Sequence, residues 1–140
     1  MFIRDRTTSV DQEGAKKMVD AAKKFKVKKF IMLSAMGTDD PSQNKDLEHY
    51  LKAKKEADDY LVDSGIPYTI VRPGALNDDL GLAKVKIAPK LEERGEISRD
   101  DVAFLLVMCL ADPLAKNMAF EALEGEESIK SALIELSQNN

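Results

Sequence analysis

Residues 50–74, YLKAKKEADDYLVDSGIPYTIVRPG, constrain the fold of this chain more than any other stretch. Within it, Tyr68–Val71 is a continuous run of aromatic and β-branched or aliphatic residues, which is typical of a parallel strand covered on both faces. An amphipathic helical pattern precedes this run, and Gly65 and Pro67 mark the break between helix and strand. A helix that leads directly into a buried strand predicts an α/β fold with parallel β-strands and flanking helices.

A similar helix–strand unit precedes this stretch. Ser9 and Gln12 have the spacing of a capping box, which predicts a helix that begins after Ser9. The apolar residues expected on the buried face of this helix are Ala15, Met18, Val19, Ala22 and Phe25. The apolar strand predicted over residues 30–33 then ends at Ser34. If the two strands are parallel neighbours joined by the usual right-handed crossover, Ser34 and Arg72–Gly74 emerge at one edge of the sheet. That edge, beyond the carboxyl ends of the strands, is where open α/β sheets bind ligands.

Tyr50 and Lys54 are four residues apart and therefore share one face of the predicted helix. A lysine on the buried face needs a reason, because a buried ammonium is costly unless it is paired. The start of this helix lies close to the end of the preceding strand, so Ser34, Tyr50 and Lys54 can converge. Two interpretations remain: these residues form a site with Arg72–Gly74, or Tyr50 packs in the core while Lys54 extends to solvent. The spacing by itself favours the second.

The rest of the sequence predicts further elements. Residues 84–87 alternate lysine with aliphatic residues and predict a short, exposed strand. Ser98 is expected to cap an apolar helix over 102–110. Residues 118–123 predict a last strand, and the spacing of aliphatic residues over 129–136 predicts a terminal helix.

Composition excludes several classes of function. The 140 residues, read as a single domain over 1–140, carry a formal net charge of −4, which argues against nucleic acid as the main partner. No apolar run is long enough for a membrane span, and the first residues lack a signal-peptide pattern. The lone Cys109 lies in an apolar run and predicts a buried thiol in a reducing, cytoplasmic protein. His49 is the only histidine, so no multi-histidine metal site is possible. The acidic pairs, such as Asp58-Asp59, are expected to be solvated rather than to bind a metal ion.

Several motifs together resemble the short-chain dehydrogenase/reductase superfamily. They are residues 10–23 and 27–34, the Tyr50–Lys54 pair in the pattern YxxxK, residues 64–74 (SGIPYTIVRPG), and residues 97–102. The combination is most similar to the atypical, NmrA-like branch of NAD(P)-binding proteins, which includes flavin and biliverdin reductases. The resemblance covers nearly the whole chain. It implies a Rossmann-like fold and an NAD(P)H-dependent oxidoreductase of reductase or epimerase type, with NADP or NAD as cofactor and a small molecule as substrate.

The resemblance also implies roles for particular residues. Ser34, Tyr50 and Lys54 would be catalytic: Ser34 would hold the substrate carbonyl, Tyr50 would be the general acid, and Lys54 would bind the nicotinamide ribose and favour the ionised tyrosine. Arg72, Pro73, Gly74 and Ala75, together with Ser34 and Lys54, would contact the cofactor. The resemblance implies no metal. An alternative from the same branch is a non-catalytic NAD(P)-sensing or protein-interaction module, or a remnant without activity.

One departure from the superfamily concerns the phosphate-binding loop. None of the seven glycines forms GxGxxG, the turn that holds the pyrophosphate at a helix N-terminus. We therefore expect the chain to correspond to the C-terminal part of a Rossmann-type domain, an incomplete fold. The strand over residues 30–33 would then be an apolar edge strand, which is a hazard for pairing with another chain. Self-association through this edge, or marginal stability, is the expected consequence.

Overall fold

The computed structural model describes residues 2–111 and 113–139, with side chains from residue 12 onwards. The α-helices in this part of the chain are α1 (Phe2–Lys24), α2 (Glu48–Asp63), α3 (Arg99–Met108) and α4 (Ile129–Gln138). The strands are β1 (Phe30–Leu33), β2 (Tyr68–Pro73), β3 (Ala75–Asn77), β4 (Lys84–Ala88), β5 (Glu96–Ser98), β6 (Met118–Glu124) and β7 (Glu127–Ser128). A 3₁₀ turn over Pro41–Gln43 lies in the loop between β1 and α2.

The main sheet is mixed and has the strand order β1-β2-β6-β4-β7. β1, β2 and β6 are parallel, with Phe30 opposite Tyr68 and Thr69 opposite Met118. β4 runs antiparallel to both β6 and β7, and β3 and β5 form a separate parallel pair. The carboxyl ends of β1, β2 and β6 therefore meet at one edge of the sheet. The predicted α/β class and the predicted parallel pairing of β1 with β2 are both confirmed.

Neighbouring residues of β2 point into two different apolar cores. Ile70 packs with the buried residues of α1 and α2, and Val71 packs with those of α3 and α4. This arrangement explains why the sequence of β2 is continuously apolar, because a strand covered on both faces has no solvent side.

Local signals predicted several helix ends correctly. After α2, Gly65 has a φ of +82°, a left-handed conformation that glycine adopts without strain. At the start of α3, the Ser98 hydroxyl accepts a hydrogen bond from the Asp101 N–H at 3.1 Å. The apolar stripe predicted for the terminal helix is buried in α4.

Three details of the sequence interpretation are wrong. Helix α1 begins at Phe2 rather than after Ser9; the sequence has no glycine or proline before Gly14, so nothing stops the helix there. Met18 and Phe25, predicted on its buried face, are exposed, because both lie at the margin of the apolar stripe and Phe25 follows the last helical turn. Strand β4 is not an exposed strand but lies between β6 and β7, where Val85 is fully buried.

The described residues contain neither a membrane-spanning helix nor a cluster of metal-binding side chains. None of their helices combines the length and the hydrophobicity needed to cross a bilayer. Within the same residues, no three His, Cys, Asp or Glu side chains lie close enough together to hold a metal ion.

Candidate functional site

Loops at the carboxyl ends of β1, β2 and β6 are tied together by backbone hydrogen bonds. Ser34 donates to the Val71 carbonyl at 2.7 Å, and Met36 donates to the Pro73 carbonyl at 2.9 Å. On the other side of β2, Gly74 donates to the Ala122 carbonyl at 3.1 Å. These bonds fix the turn that follows β2 between its two neighbours. The predicted proximity of the Ser34 and Arg72–Gly74 backbones is therefore observed.

Gly74 is required by the close approach of another loop. A Cβ atom at this position would lie 2.6 Å from the Gly95 carbonyl oxygen and 2.5 Å from a Leu123 methyl carbon. The next residue, Ala75, donates to the same Gly95 carbonyl at 3.0 Å. The segment 90–95 is thereby held against the turn 73–75, and the two form adjoining walls of a cleft.

The cleft at this edge of the sheet has a volume of about 710 Å³, within the range of roughly 300–1,000 Å³ typical of small-molecule sites. Its walls come from the loop after β1, the start of α2, the turn after β2 and the segment 90–95. The lining includes Asp40, Tyr50, Pro73, Gly74, Ala75, Lys90, Glu92, Glu93, Arg94 and Glu121.

Tyr50 and Lys54 lie next to each other beside this cleft. The Lys54 ammonium is 5.6 Å from the centroid of the Tyr50 ring, within the range of a cation–π contact. Both side chains are half-buried. Tyr50 borders the cleft, and it also borders a small cavity of about 30 Å³ that Lys54 lines from the side of α1. The interpretation in which Tyr50 is only a core residue does not describe this position.

Ser34 and Arg72 meet at a third residue, Asp58 of α2. The Ser34 hydroxyl is buried and donates to Asp58 Oδ2 at 2.7 Å, and Arg72 Nη2 donates to the same oxygen at 3.3 Å. The predicted site residues therefore form two groups. Tyr50 lines the cleft together with the turn 73–75 and has Lys54 next to its ring, whereas the Ser34 and Arg72 side chains belong to a buried polar network.

Asp58 is a functional candidate that the sequence interpretation missed, because the pair Asp58-Asp59 was assigned to solvated positions. Its side chain is buried, and this burial raises the pKa of its carboxyl group, although the Ser34 hydrogen bond and the Arg72 charge oppose the shift. A signal was present in the sequence: Asp58 follows Lys54 by four residues and therefore lies on the same side of α2.

Glu121 is a second residue that the sequence interpretation missed. It lies within the apolar strand β6 and is 1% exposed. Its Oε1 accepts a hydrogen bond from the Leu91 N–H at 2.7 Å, and its Oε2 is 3.8 Å from the Lys90 ammonium. The available signal was a lone carboxylate in the run MAFEAL, since a charged residue inside an apolar strand needs a partner.

Lys90 connects Glu121 to the loop that follows β1. Its ammonium lies 2.9 Å from the Asp39 carboxylate. Burial raises the pKa of Asp39, but the hydrogen bond and charge of Lys90 overcome this effect, so the Asp39 pKa lies below its usual value. The hydrogen bond with Asp39 in turn raises the pKa of Lys90. Lys90 thus links the segment 90–95 to the opposite side of the cleft.

Comparison with known proteins relates this chain to nucleotide-binding proteins. A family model described as NAD(P)H-binding matches residues 2–113. The chain is 42% identical over 133 residues to an uncharacterised sugar epimerase of Bacillus subtilis, YhfK, covering 94% of this chain and 62% of that protein. It is 34% identical over 137 residues to sanguinarine reductase of Eschscholzia californica, covering 88% of this chain and 48% of that protein.

A solved structure from Bacillus halodurans, assigned provisionally as an NAD-dependent epimerase/dehydratase, superposes with a TM-score of 0.90 at 38% identity. The superposition covers 94% of this chain and 63% of that one. The chain thus spans less than two thirds of the length of these relatives. The predicted Rossmann-like architecture and the predicted cofactor class, NADP or NAD, are confirmed by these matches.

Proposed function

This chain belongs to the NAD(P)H-binding family, and we propose that its cleft is the reaction site of an NAD(P)H-dependent oxidoreductase of reductase or epimerase type that acts on a small-molecule substrate. The observation that carries the proposal is the Tyr50–Lys54 pair: Tyr50 lines the cleft together with the turn 73–75, and the Lys54 ammonium lies 5.6 Å from the centroid of its ring. This constellation lies at the carboxyl ends of parallel strands, where such folds bind ligands.

The residues present fit the nicotinamide end of the cofactor. The cleft is large enough for a nicotinamide riboside together with a small substrate. Lys54 offers a cation and three hydrogen-bond donors for ribose hydroxyls, and the backbone of 73–75 forms the adjoining wall. The glycine-rich loop that holds a pyrophosphate is absent from these 140 residues, so we expect weak affinity for the phosphate portion.

A reduced nicotinamide held beside Tyr50 and Lys54 would supply the hydride that reduces the substrate. In the proposed mechanism, Tyr50 donates its phenolic proton to the substrate oxygen that gains negative charge. The Lys54 ammonium, close to the Tyr50 ring, stabilises the phenolate that remains. Ser34 keeps its proposed contact with the substrate carbonyl only if its hydroxyl turns away from Asp58, and we therefore assign the proton transfer to Tyr50 alone.

The test is NADPH binding, followed by nicotinamide fluorescence, and then turnover with a panel of carbonyl compounds. We expect Tyr50→Phe to lower turnover at least about 100-fold, the usual contribution of a general acid, while NADPH binding is retained. Lys54→Met is expected to weaken NADPH binding as well.

Matched controls lie on the same helix. Tyr60→Phe removes an exposed hydroxyl that contacts Asp20, and Lys52→Met removes a lysine that pairs with Glu48 at 3.5 Å. Both should leave binding and turnover unchanged. Equal activity of Tyr50→Phe and wild type would contradict the proposed acid.

A second candidate function is a non-catalytic NAD(P)-sensing or protein-interaction module. It is favoured by the Ser34 hydroxyl, which donates to Asp58 instead of facing a substrate. Tight NADPH binding without turnover of any carbonyl compound would support this alternative.

For either function we propose a cytoplasmic location, since the single Cys109 is a buried free thiol. We further propose self-association through β1, the strand at the end of the main sheet.

A further inference from the structure

The Glu121 carboxylate is a polar group of the cleft that the proposed chemistry leaves unused. It lies in register with Arg72 on the neighbouring parallel strand, at the edge of the sheet where the cleft opens. Removing a carboxylate from water is costly unless hydrogen bonds replace its hydration. The partners of its two oxygens therefore indicate what the residue is for.

The two oxygens differ in their contacts. Oε1 accepts the Leu91 N–H at 2.7 Å and so holds the segment 90–95 against β6. Within the described part of the chain, Oε2 is buried and has no hydrogen-bond donor. The Lys90 ammonium, at 3.8 Å, is too distant for a hydrogen bond and is itself bonded to Asp39. A buried acceptor without a donor requires an explanation, and a ligand in the cleft can supply that donor.

The charges around the cleft select the type of ligand. Its walls carry four carboxylates and two cations: Asp40, Glu92, Glu93 and Glu121 against Lys90 and Arg94. An excess of negative charge in a concave site disfavours anions and favours neutral or cationic molecules. Because Glu121 is the buried member of this set, its contact with a ligand would be the least weakened by solvent.

We propose that Glu121 is a substrate-binding residue and that its Oε2 accepts a hydrogen bond from a hydroxyl, amide or ammonium group of a neutral or cationic carbonyl compound. The inference rests on the proposed function, because this donor group shares the cleft with Tyr50. Half of the Lys90 side chain is exposed. Because Oε2 itself has almost no exposed surface, the ligand donor reaches it when the Lys90 ammonium turns outward from its position at 3.8 Å, and the ammonium and the ligand therefore compete for Oε2.

The test uses three para-substituted acetophenones of similar shape as probes, with binding to the full chain followed by NMR titration. They carry a hydroxymethyl, a methyl or a carboxylate group. We expect the hydroxymethyl probe to bind about tenfold more tightly than the methyl probe, the usual effect of a hydrogen bond to a charged group. The carboxylate probe should bind most weakly. Equal binding of the hydroxymethyl and methyl probes would overturn the proposal, as would no binding of any probe.

Variants assign the preference to Glu121. In Glu121→Gln, the amide oxygen can keep the Leu91 hydrogen bond while an N–H group replaces Oε2. The hydroxymethyl oxygen can accept from that N–H group, but the charged acceptor is lost, so the preference should fall well below tenfold and the carboxylate probe should gain affinity. Glu124→Gln makes the same charge change at an exposed position of the same strand, away from the lining of the cleft, and should preserve the preference. If the full preference of about tenfold survives in Glu121→Gln, the proposal is wrong.

A second variant leaves Glu121 intact and covers the case in which Glu121→Gln does not fold. Lys90→Met removes the competing ammonium, so binding of the hydroxymethyl probe should become several-fold tighter relative to binding of the methyl probe. An unchanged ratio of the two affinities would count against the proposal.

A parallel NADPH titration separates the role of Glu121 from the proposed cofactor chemistry. NADPH binding without discrimination among probes refutes only the role of Glu121, and discrimination without NADPH binding refutes only the proposed cofactor chemistry.

Discussion

At the scale of single residues, Cys109 shows how burial controls reactivity. The thiol is fully buried, and desolvation raises its pKa from 9.0 to about 11. Because the thiolate is the nucleophile, we expect almost no reaction with a disulfide reagent at pH 8 in the native protein and complete reaction in urea. Absorbance of the released thiolate measures both. Rapid labelling of the native protein would contradict the buried position.

The same shift predicts how stability depends on pH. The native state holds the Cys109 proton more tightly than the unfolded state, so this residue makes the free energy of unfolding fall as pH rises from 9 to about 11. Urea denaturation at several pH values measures the slope. Other groups titrate in this range too, and the comparison with Cys109→Ala isolates the contribution of the thiol.

Residues that share a helix face were predictable from sequence, whereas buried ion partners were not. The four-residue spacing of Tyr50 and Lys54 predicted their proximity, and their side chains are adjacent. Asp58 was assigned to solvent, because charged residues are exposed by default. Its partners Ser34 and Arg72 lie 24 and 14 residues away in the sequence, so only the folded chain reveals why the carboxylate is buried.

At the scale of elements, two glycines in different settings predict opposite effects of the same substitution. In Gly74→Ala, the new methyl group would overlap the Gly95 carbonyl and Leu123, and we expect a loss of about 1–3 kcal/mol in the free energy of unfolding. Gly14 lies within α1 with open space around it, so Gly14→Ala should gain roughly 0.5–1 kcal/mol. Urea denaturation measures both.

A further readout distinguishes local from global effects of Gly74→Ala. The overlap pushes the segment 90–95 away from the turn 73–75, so we expect NADPH binding to weaken even under conditions where the variant is fully folded. Gly14→Ala should bind NADPH like the wild type. Wild-type stability of Gly74→Ala would show that the two loops are not in close contact.

The existence of the elements was easier to predict than their pairing. Apolar periodicity and caps identified the strands and helices around β2, α3 and α4, because these signals are local. Strand β4 was predicted as exposed, although the alternation in residues 84–87 was recognised. Its place beside β6 depends on partners some 40 positions away in the sequence, such as Val85 with Glu124, and no local pattern encodes such a pairing.

At the scale of the whole molecule, the open edge of β1 is the feature that the sequence interpretation anticipated. β1 stands at the end of the strand order β1-β2-β6-β4-β7, and its other edge has no partner strand among the residues that the structure describes. Leu33 is 39% exposed there. An apolar edge with free N–H and carbonyl groups favours pairing with a second chain, and this is the basis of the proposed self-association.

Sedimentation equilibrium tests this proposal. We expect the wild type to show a concentration-dependent mass above that of a single 140-residue chain. Leu33→Lys should weaken association at least about tenfold, because a charge on an edge strand blocks pairing. Leu80→Lys is the matched control, since Leu80 is an 83% exposed apolar residue outside any strand. A wild-type monomer that unfolds cooperatively at high temperature would rule out the β1 edge as an interface, and equal dissociation by both lysine variants would indicate a general effect of charge.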